Sequence, residues 1–161
     1  MASTVDVTIQ SGLTVVEEFP EADWPAAQDR VVTHDAYNTR RNLHAASTPP
    51  ASQKYADTLT GPQTLDLQAL ADPVSGTLDG SGLKVQTLLV NNLSTTDDLV
   101  IDDGAANPYS LNGGDPITLP PGGSFGPLYF ADGLADIDAT HSEIDITAGA
   151  AETYEIMLIL G

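Results

Sequence analysis

The chain contains no cysteine, and beyond Lys84 it contains no lysine or arginine. The first absence excludes disulfides and thiolate metal sites, and leaves the redox compartment unread. Aromatic residues make up only 6%, so any core must be built from Leu, Val, Ile and Ala. No segment approaches the roughly 18–20 apolar residues of a membrane-spanning helix. The opening "MASTVDVTIQSG" has neither a basic region nor an apolar run, so no secretory signal is expected there. Five basic residues (Arg30, Arg40, Arg41, Lys54, Lys84) face 23 acidic ones, a formal net charge of -18, and 12 of the acids follow Val85. Such a surface repels phosphate backbones and anionic lipid headgroups. Nucleic acid and membrane are therefore not expected as partners. The plain reading of the acidity is a solvated surface; the sharper one is that the less acidic N-terminal part docks on something.

What is present is enough for one domain: 161 residues, 41% of them apolar. Two textures divide the chain. Residues 1–50 hold a mixed segment with four prolines, the sole tryptophan (Trp24) and no sustained periodicity. It reads as an extended N-terminal arm with short strands and a single helical turn after Pro25. "STPP" at 47–50 reads as a hinge. From residue 51 to 161 short β-branched and apolar runs recur, broken by Gly, Pro, Asn and Asp clusters. The runs are "QKYADTLT", "QTLDLQAL", "LKVQTLLVNNL", "DLVIDD", "PYSL", "PITL", "SFGPLYF", "SEIDITA" and "TYEIMLIL". Alternation is clear at Leu65-Asp66-Leu67 and Ile144-Asp145-Ile146. Asn112-Gly113 and Asp79-Gly80 are turn pairs suited to positive φ. The pattern predicts an all-β domain: a β-sandwich, jelly-roll-like, or a small barrel. The apolar run Met157–Leu160 predicts a strand interior to its sheet, or one covered by a neighbouring subunit.

Several stretches spell chemistry. Gly122-Gly123-Ser124-Phe125-Gly126 matches the G-x-S-x-G nucleophile elbow, and Asp136, Asp138 and His141 follow in the order of an α/β-hydrolase triad. That elbow needs a helix after the serine, and Gly126-Pro127 would stop one. No βαβ alternation surrounds it either, so the expected role is a turn feeding a strand, with a small serine hydrolase using Ser124 as the alternative. Asp132, Asp136 and Asp138 are weak candidates for a Ca²⁺ site near a turn, although no calcium-loop spacing is present. No metal or other cofactor is expected. His34, His44 and His141 lack zinc-helix spacing. Asn92-Leu93-Ser94 matches a glycosylation sequon. Arg40-Arg41 forms a basic pair able to grip a partner's carboxylate; with Trp24 it makes the candidate partner-binding set. An exposed aromatic platform would point instead to a tail-associated or receptor- or glycan-binding module. Its candidates are Trp24, Tyr37, Tyr55, Tyr109, Tyr129 and Tyr154.

From Val32 onward the ordered features "THDAYNTRRNLHAASTPPASQKYADTLT", "QTLDLQALA", "GTLDGSGLKVQTLLVNN", "ITLPPGGSFGPLYF" and "YEIMLILG" resemble small structural proteins of tailed bacteriophages and prophages. These are capsid decoration (cement) or accessory virion proteins. The resemblance covers about 130 of the 161 residues and rests on turn-and-strand patterns, without catalytic residues to carry over. It implies a virion component at the capsid surface, made in the host cytoplasm. It further implies a non-enzymatic protein whose partners are the major capsid protein and copies of itself, with a homotrimer favoured. Residues 1–31 have no counterpart in it.

Overall fold

Where hydrophobic and polar residues alternate with period two, one side of an extended chain can be buried and the other solvated. The computed structural model describes residues 5–19, 30–48 and 50–161, with side chains at 5–10, 12, 40–48 and 50–161. It is all-β and contains no helix among those residues. Twelve strands follow in chain order. They are β1 (Val7–Phe19), β2 (Arg30–Leu43), β3 (Gln53–Thr60), β4 (Gln63–Asp66), β5 (Leu70–Asp72), β6 (Gly76–Leu78), β7 (Val85–Asn92), β8 (Leu99–Asp103), β9 (Ile117–Leu119), β10 (Ser124–Tyr129), β11 (Glu143–Thr147) and β12 (Thr153–Leu160).

Two compact units emerge. Thr8–Asn42 holds most of the β1–β2 two-stranded sheet, where the Thr8 hydroxyl donates to Asn42 Oδ1 at 3.0 Å. These strands are long, not the short ones expected of an arm. "VTIQSGLTVV" supplies the β-branched residues that favour extended backbone. The helical turn expected after Pro25 lies outside the described residues.

The second unit comprises residues 5–7 and Leu43–Gly161. It is β-sandwich-like: a four-stranded sheet ordered β10-β7-β12-β3 and another ordered β4-β11-β8-β9, with a small β5–β6 hairpin. The pairings in both large sheets are antiparallel. The sheets do not close on each other, so the small-barrel option is corrected to an open sandwich. Ser47 and the residues after Pro50 are hydrogen-bonded within this unit. The His44 carbonyl accepts from the Ser47 and Ala51 N–H groups at 3.0 and 3.1 Å, and Ser52 N–H donates to Leu160 at 2.8 Å.

The core forms where the inward faces meet. β12 lies between β7 and β3, with Leu158 opposite Leu88 on one side and Tyr55 on the other. Its inward residues Tyr154, Ile156, Leu158 and Leu160 join Leu88 and Val90 of β7. Against them pack Leu65, Leu99, Ile101, Ile117, Leu119, Ile144 and Ile146 from the other sheet. Each fully buried Leu or Ile contributes about 1.5–3 kcal/mol. The apolar run Met157–Leu160 is thus an interior strand, buried on one face by the core and flanked on both edges.

The sheet edges are blunted by specific residues. β10 carries a bulge between Phe125 and Leu128, and Pro127 within it has no N–H to offer. Gly126 in the bulge has φ +100°, and a Cβ there would collide with the Leu88 carbonyl. On the opposite edge, β3 would present a free N–H at Ala56. The Asp72 carboxylate occupies that position instead, accepting at 3.3 Å. The edges of the other sheet, β4 and β9, are only four and three residues long.

Two readings at the level of short segments differ from expectation. "PYSL" is not a strand; Pro108 makes one parallel bridge to Glu143 and Tyr109 turns inward. At 79–82 the positive φ belongs to Gly82 (+74°) and not to Gly80, whereas Gly113 has φ +69° as its Asn-Gly pairing suggested.

Candidate functional site

The stretch "LPPGGSFGPLYF" ends β9, turns at Pro120–Gly123 and opens β10. No helix follows Ser124, which is the exposed first residue of β10, opposite Asn91. The turn is wired to the neighbouring 92–94 loop. Gly122 N–H donates to the Ser94 carbonyl at 2.9 Å, Asn92 N–H to the Gly123 carbonyl at 2.8 Å, and Gly123 N–H to Pro120 at 2.8 Å. Gly122 has φ +69°, the left-handed region that glycine alone enters freely.

The supposed triad partners are engaged elsewhere. His141 Nδ1 lies 3.1 Å from Asp138 Oδ1 and 2.9 Å from the Thr140 hydroxyl, inside a single tight turn. Asp138 also accepts from the Thr140 hydroxyl and from the N–H groups of Thr140 and His141, at 2.7–2.9 Å. The bonds from Thr140, with smaller help from His141, hold its carboxyl down at about 2. Asp136 sits 3.7 Å from Lys84 Nζ. Among the described residues, no hydrogen bond joins the Ser124 hydroxyl to any of them.

Those same acids do not build a cation site. Asp136 pairs with Lys84, Asp138 caps its own turn, and Asp132 is exposed. Among the described residues no three His, Asp or Glu side chains converge where a metal could sit. His44 Nδ1 accepts from its own turn, from Ala46 N–H at 3.2 Å. Trp24 lies outside the described residues, as do the side chains of His34 and Tyr37. Arg40 and Arg41 are both exposed on β2. Being successive residues of a strand, they project to opposite sides, so a single carboxylate cannot take both. Of the tyrosines offered as an aromatic platform, Tyr55, Tyr109 and Tyr154 are core residues.

Two polar residues prove more important than the sequence suggested. Asn92 ends β7 and is buried. Its amide NH₂ donates to the carbonyls of Asp97, Leu119 and Pro120 at 2.9–3.1 Å, and its Oδ1 accepts from Ser94 N–H at 3.0 Å. Leu119 belongs to β9, so this side chain ties one sheet to the other. It also leaves no amide free to carry a glycan on the folded protein. At the other end of β7, the Tyr109 hydroxyl accepts from Val85 N–H at 3.2 Å and donates to the Ala135 carbonyl at 2.8 Å. Tyr109 N–H in turn donates to Glu143 of β11 at 2.8 Å. Burial pushes its phenol up to about 12; the Val85 bond opposes this, and the Asp136 charge adds to it. β7 is therefore strapped to the facing sheet at both ends. The sequon and an apparent strand concealed the two straps.

Asp72 is the buried acid of the edge. One carboxylate oxygen accepts from Val74 and Ser75 N–H at 2.9 and 2.7 Å, holding the hairpin turn, while the other takes Ala56 N–H. Lys54 Nζ stands 3.9 Å away. Desolvation pushes this carboxyl up. The N–H donors of Ser75, Val74 and Ala56, with Lys54, outweigh it and hold it below the ordinary carboxylate value.

The two outward faces of the sandwich differ sharply in charge. On β4-β11-β8, Asp145 stands opposite Asp102 on one side and Thr64 on the other, and Glu143 stands opposite Asp66. No lysine or arginine occurs in any strand of that sheet. On the outward face of β7-β12-β3 the register brings together Leu89, Met157 and Ala56, with Asn91, Glu155 and Thr58 beside them. These residues, with Asp57, Ile156 and Pro73, line a cavity of ≈ 390 Å³. Lys54 and Glu155 are on the outward side of their strands there, and Asp57 also borders the cavity, one cation against two acids. The β1–β2 unit is also less acidic: six acids against three arginines in Thr8–Asn42, seventeen against two lysines in the rest.

No family model matches the chain, and comparison with curated proteins and with solved structures gives no match.

Proposed function

We propose that this chain is a structural component of a tailed-phage virion, a capsid decoration protein. It binds the outer head surface as a homo-oligomer, with a trimer favoured, and performs no catalysis. The observation that carries this reading is the uneven charge of the two sandwich faces. A protein displayed in many copies benefits from an acidic solvent face that keeps particles soluble and repels released DNA. It needs a second, near-neutral surface on which contacts can form without burying unpaired carboxylates. The Leu89–Met157 face has that character, and the less acidic β1–β2 unit, bearing Arg40 and Arg41, suits reach to a neighbouring subunit. The blunted sheet edges favour assembly through faces over strand addition.

The test is co-sedimentation with heads assembled from the major capsid protein of the phage or prophage that carries this chain, using wild type, Met157→Asp and the pair Asp102→Asn/Asp145→Asn. The expected result is binding by wild type and by the Asn pair, and loss of binding by Met157→Asp with the fold intact by circular dichroism. Wild type that stays in the supernatant and is monomeric by light scattering would sink the proposal. Ser124→Ala is expected to leave both binding and any background esterase signal unchanged; a signal abolished by it would revive the hydrolase reading.

A further inference from the structure

Four Asx–Gly steps occur in the sandwich unit: Asp79–Gly80, Asp103–Gly104, Asn112–Gly113 and Asp132–Gly133. In three of them the glycine N–H is committed to a backbone hydrogen bond. Gly80 donates to Leu67 at 3.0 Å, Gly104 to Glu143 at 2.9 Å and Gly133 to Phe130 at 3.0 Å. Each of these glycines is also packed so closely that a Cβ would clash with a neighbour. Asn112–Gly113 differs on every count. Both residues are exposed, nothing lies within 4 Å of the position a Gly113 Cβ would take, and among the described residues no hydrogen bond engages Gly113 N–H or the Asn112 side-chain amide. The turn is held at the Asn112 carbonyl, which accepts from Asp115 N–H at 3.4 Å, and around the pair: Gly114 N–H donates to Ser110 Oγ at 2.6 Å, and Leu111 and Ile117 are buried on either side. The other asparagine amides with described side chains in this unit are occupied. Asn92 serves three carbonyls, Asn91 donates to Glu155 at 3.0 Å, and Asn107 donates to Glu143 at 3.3 Å.

We propose that Asn112–Gly113 is a self-modification site at which the folded protein deamidates. The Gly113 nitrogen, having given its proton to solvent base, attacks Cγ of Asn112. The bond from Cγ to the amide nitrogen breaks, ammonia leaves, and a five-membered succinimide forms. Water then opens the ring at either carbonyl, producing aspartate or isoaspartate at position 112. Either product adds one negative charge beside Asp115, in the segment leading into β9. Isoaspartate also lengthens the main chain by one methylene there. The free N–H and the open space let the nitrogen reach Cγ; at the other three steps the nitrogen would first have to leave its carbonyl.

The experiment is peptide mapping by mass spectrometry of the folded full-length chain held in mildly alkaline buffer. The same chain in urea and an Asn112→Gln variant are run alongside. An isoaspartate-specific carboxyl methyltransferase with labelled methyl donor serves as a second readout. The expected result is conversion at Asn112 in the folded protein within a few-fold of its rate in urea, rising with hydroxide concentration. Both products appear, and conversion at position 112 is absent from Asn112→Gln. Asp79, Asp103 and Asp132 gain isoaspartate only in urea. Asn112 that survives in the folded chain while converting in urea would overturn the proposal. So would isoaspartate at the three Asp–Gly steps accumulating as fast in the folded protein as at Asn112.

Discussion

The two four-stranded sheets use the same side chain, aspartate, for opposite purposes. Along β10-β7-β12-β3, an acid is drawn in. Asp72 is buried against the β3 edge and filled with three N–H donors, so it acts as a substitute strand partner. On β4-β11-β8-β9, acids are pushed out. Asp102 and Asp145 stand directly across from each other on the outward face, with no basic residue in any strand of that sheet. A like-charge pair in that register is mildly destabilising, whereas a buried, fully satisfied carboxylate is costly only when its partners are removed. The first sheet thus uses its acid in place of a strand partner, whereas the second sets its acids outward, where Asp145 accepts from the Thr64 hydroxyl at 2.6 Å and Ala105 N–H at 3.0 Å while shaping the acidic surface.

Separating the two sheets should cost the most stability. Asn92→Leu removes the donors that bridge β7 to β9, takes a buried donor from the Leu119 carbonyl and a part-buried one from Asp97, and leaves Pro120 with Gly123 N–H alone. It is expected to destabilise by about 3 kcal/mol in urea unfolding. Asp72→Ala is expected to lose about 2 kcal/mol and to aggregate through the bared β3 edge, seen by light scattering. The carboxyl of Asp72 titrates lower in the folded chain than in the unfolded one. Its contribution is therefore present above the ordinary value of 3.8 and fades as pH falls through the depressed one. The second strap responds at the other end of the scale. Tyr109 titrates at about 12 when folded against 10.0 when unfolded. Its stabilisation is complete below pH 10 and is lost as pH rises toward 12, on the order of 2 kcal/mol. Tyr109→Phe should remove its share of that alkaline limb of the stability curve and leave the share of Tyr55 and Tyr154, whose phenols burial also raises. The smallest effect belongs to the acidic face. Asp102→Asn should stabilise by about 0.3–0.5 kcal/mol at low salt, a gain that disappears as salt screens the pair.

How far the fold could be read in advance depended on periodicity. "QKYADTLT" and "TYEIMLIL" emerged as β3 and β12 with their bounds unchanged, because alternation and β-branched content act locally. The length of β1 and β2 was not read, since "QSG" interrupts the pattern of β1. The β5–β6 hairpin was missed because strands of three residues carry too few positions to show a period. The site was less legible still. Asn92 looks like a sequon and Ser124 like a nucleophile, because motifs record neighbours in sequence, while the bonds that tie Asn92 across the sheets reach Leu119 and Pro120, 27 and 28 positions away, and no helix follows Ser124. The straps and the carboxylate plug are long-range pairings of ordinary residues, and no spacing rule announces them.

The proposed docking role assigns the near-neutral face to the capsid and the acidic face to solvent. Binding to capsid heads measured side by side for Met157→Asp and for Asp102→Asn/Asp145→Asn tests it most directly. Met157→Asp is expected to lose binding, and the Asn pair to retain it at wild-type level. Retained binding by Met157→Asp together with loss in the Asn pair would contradict it.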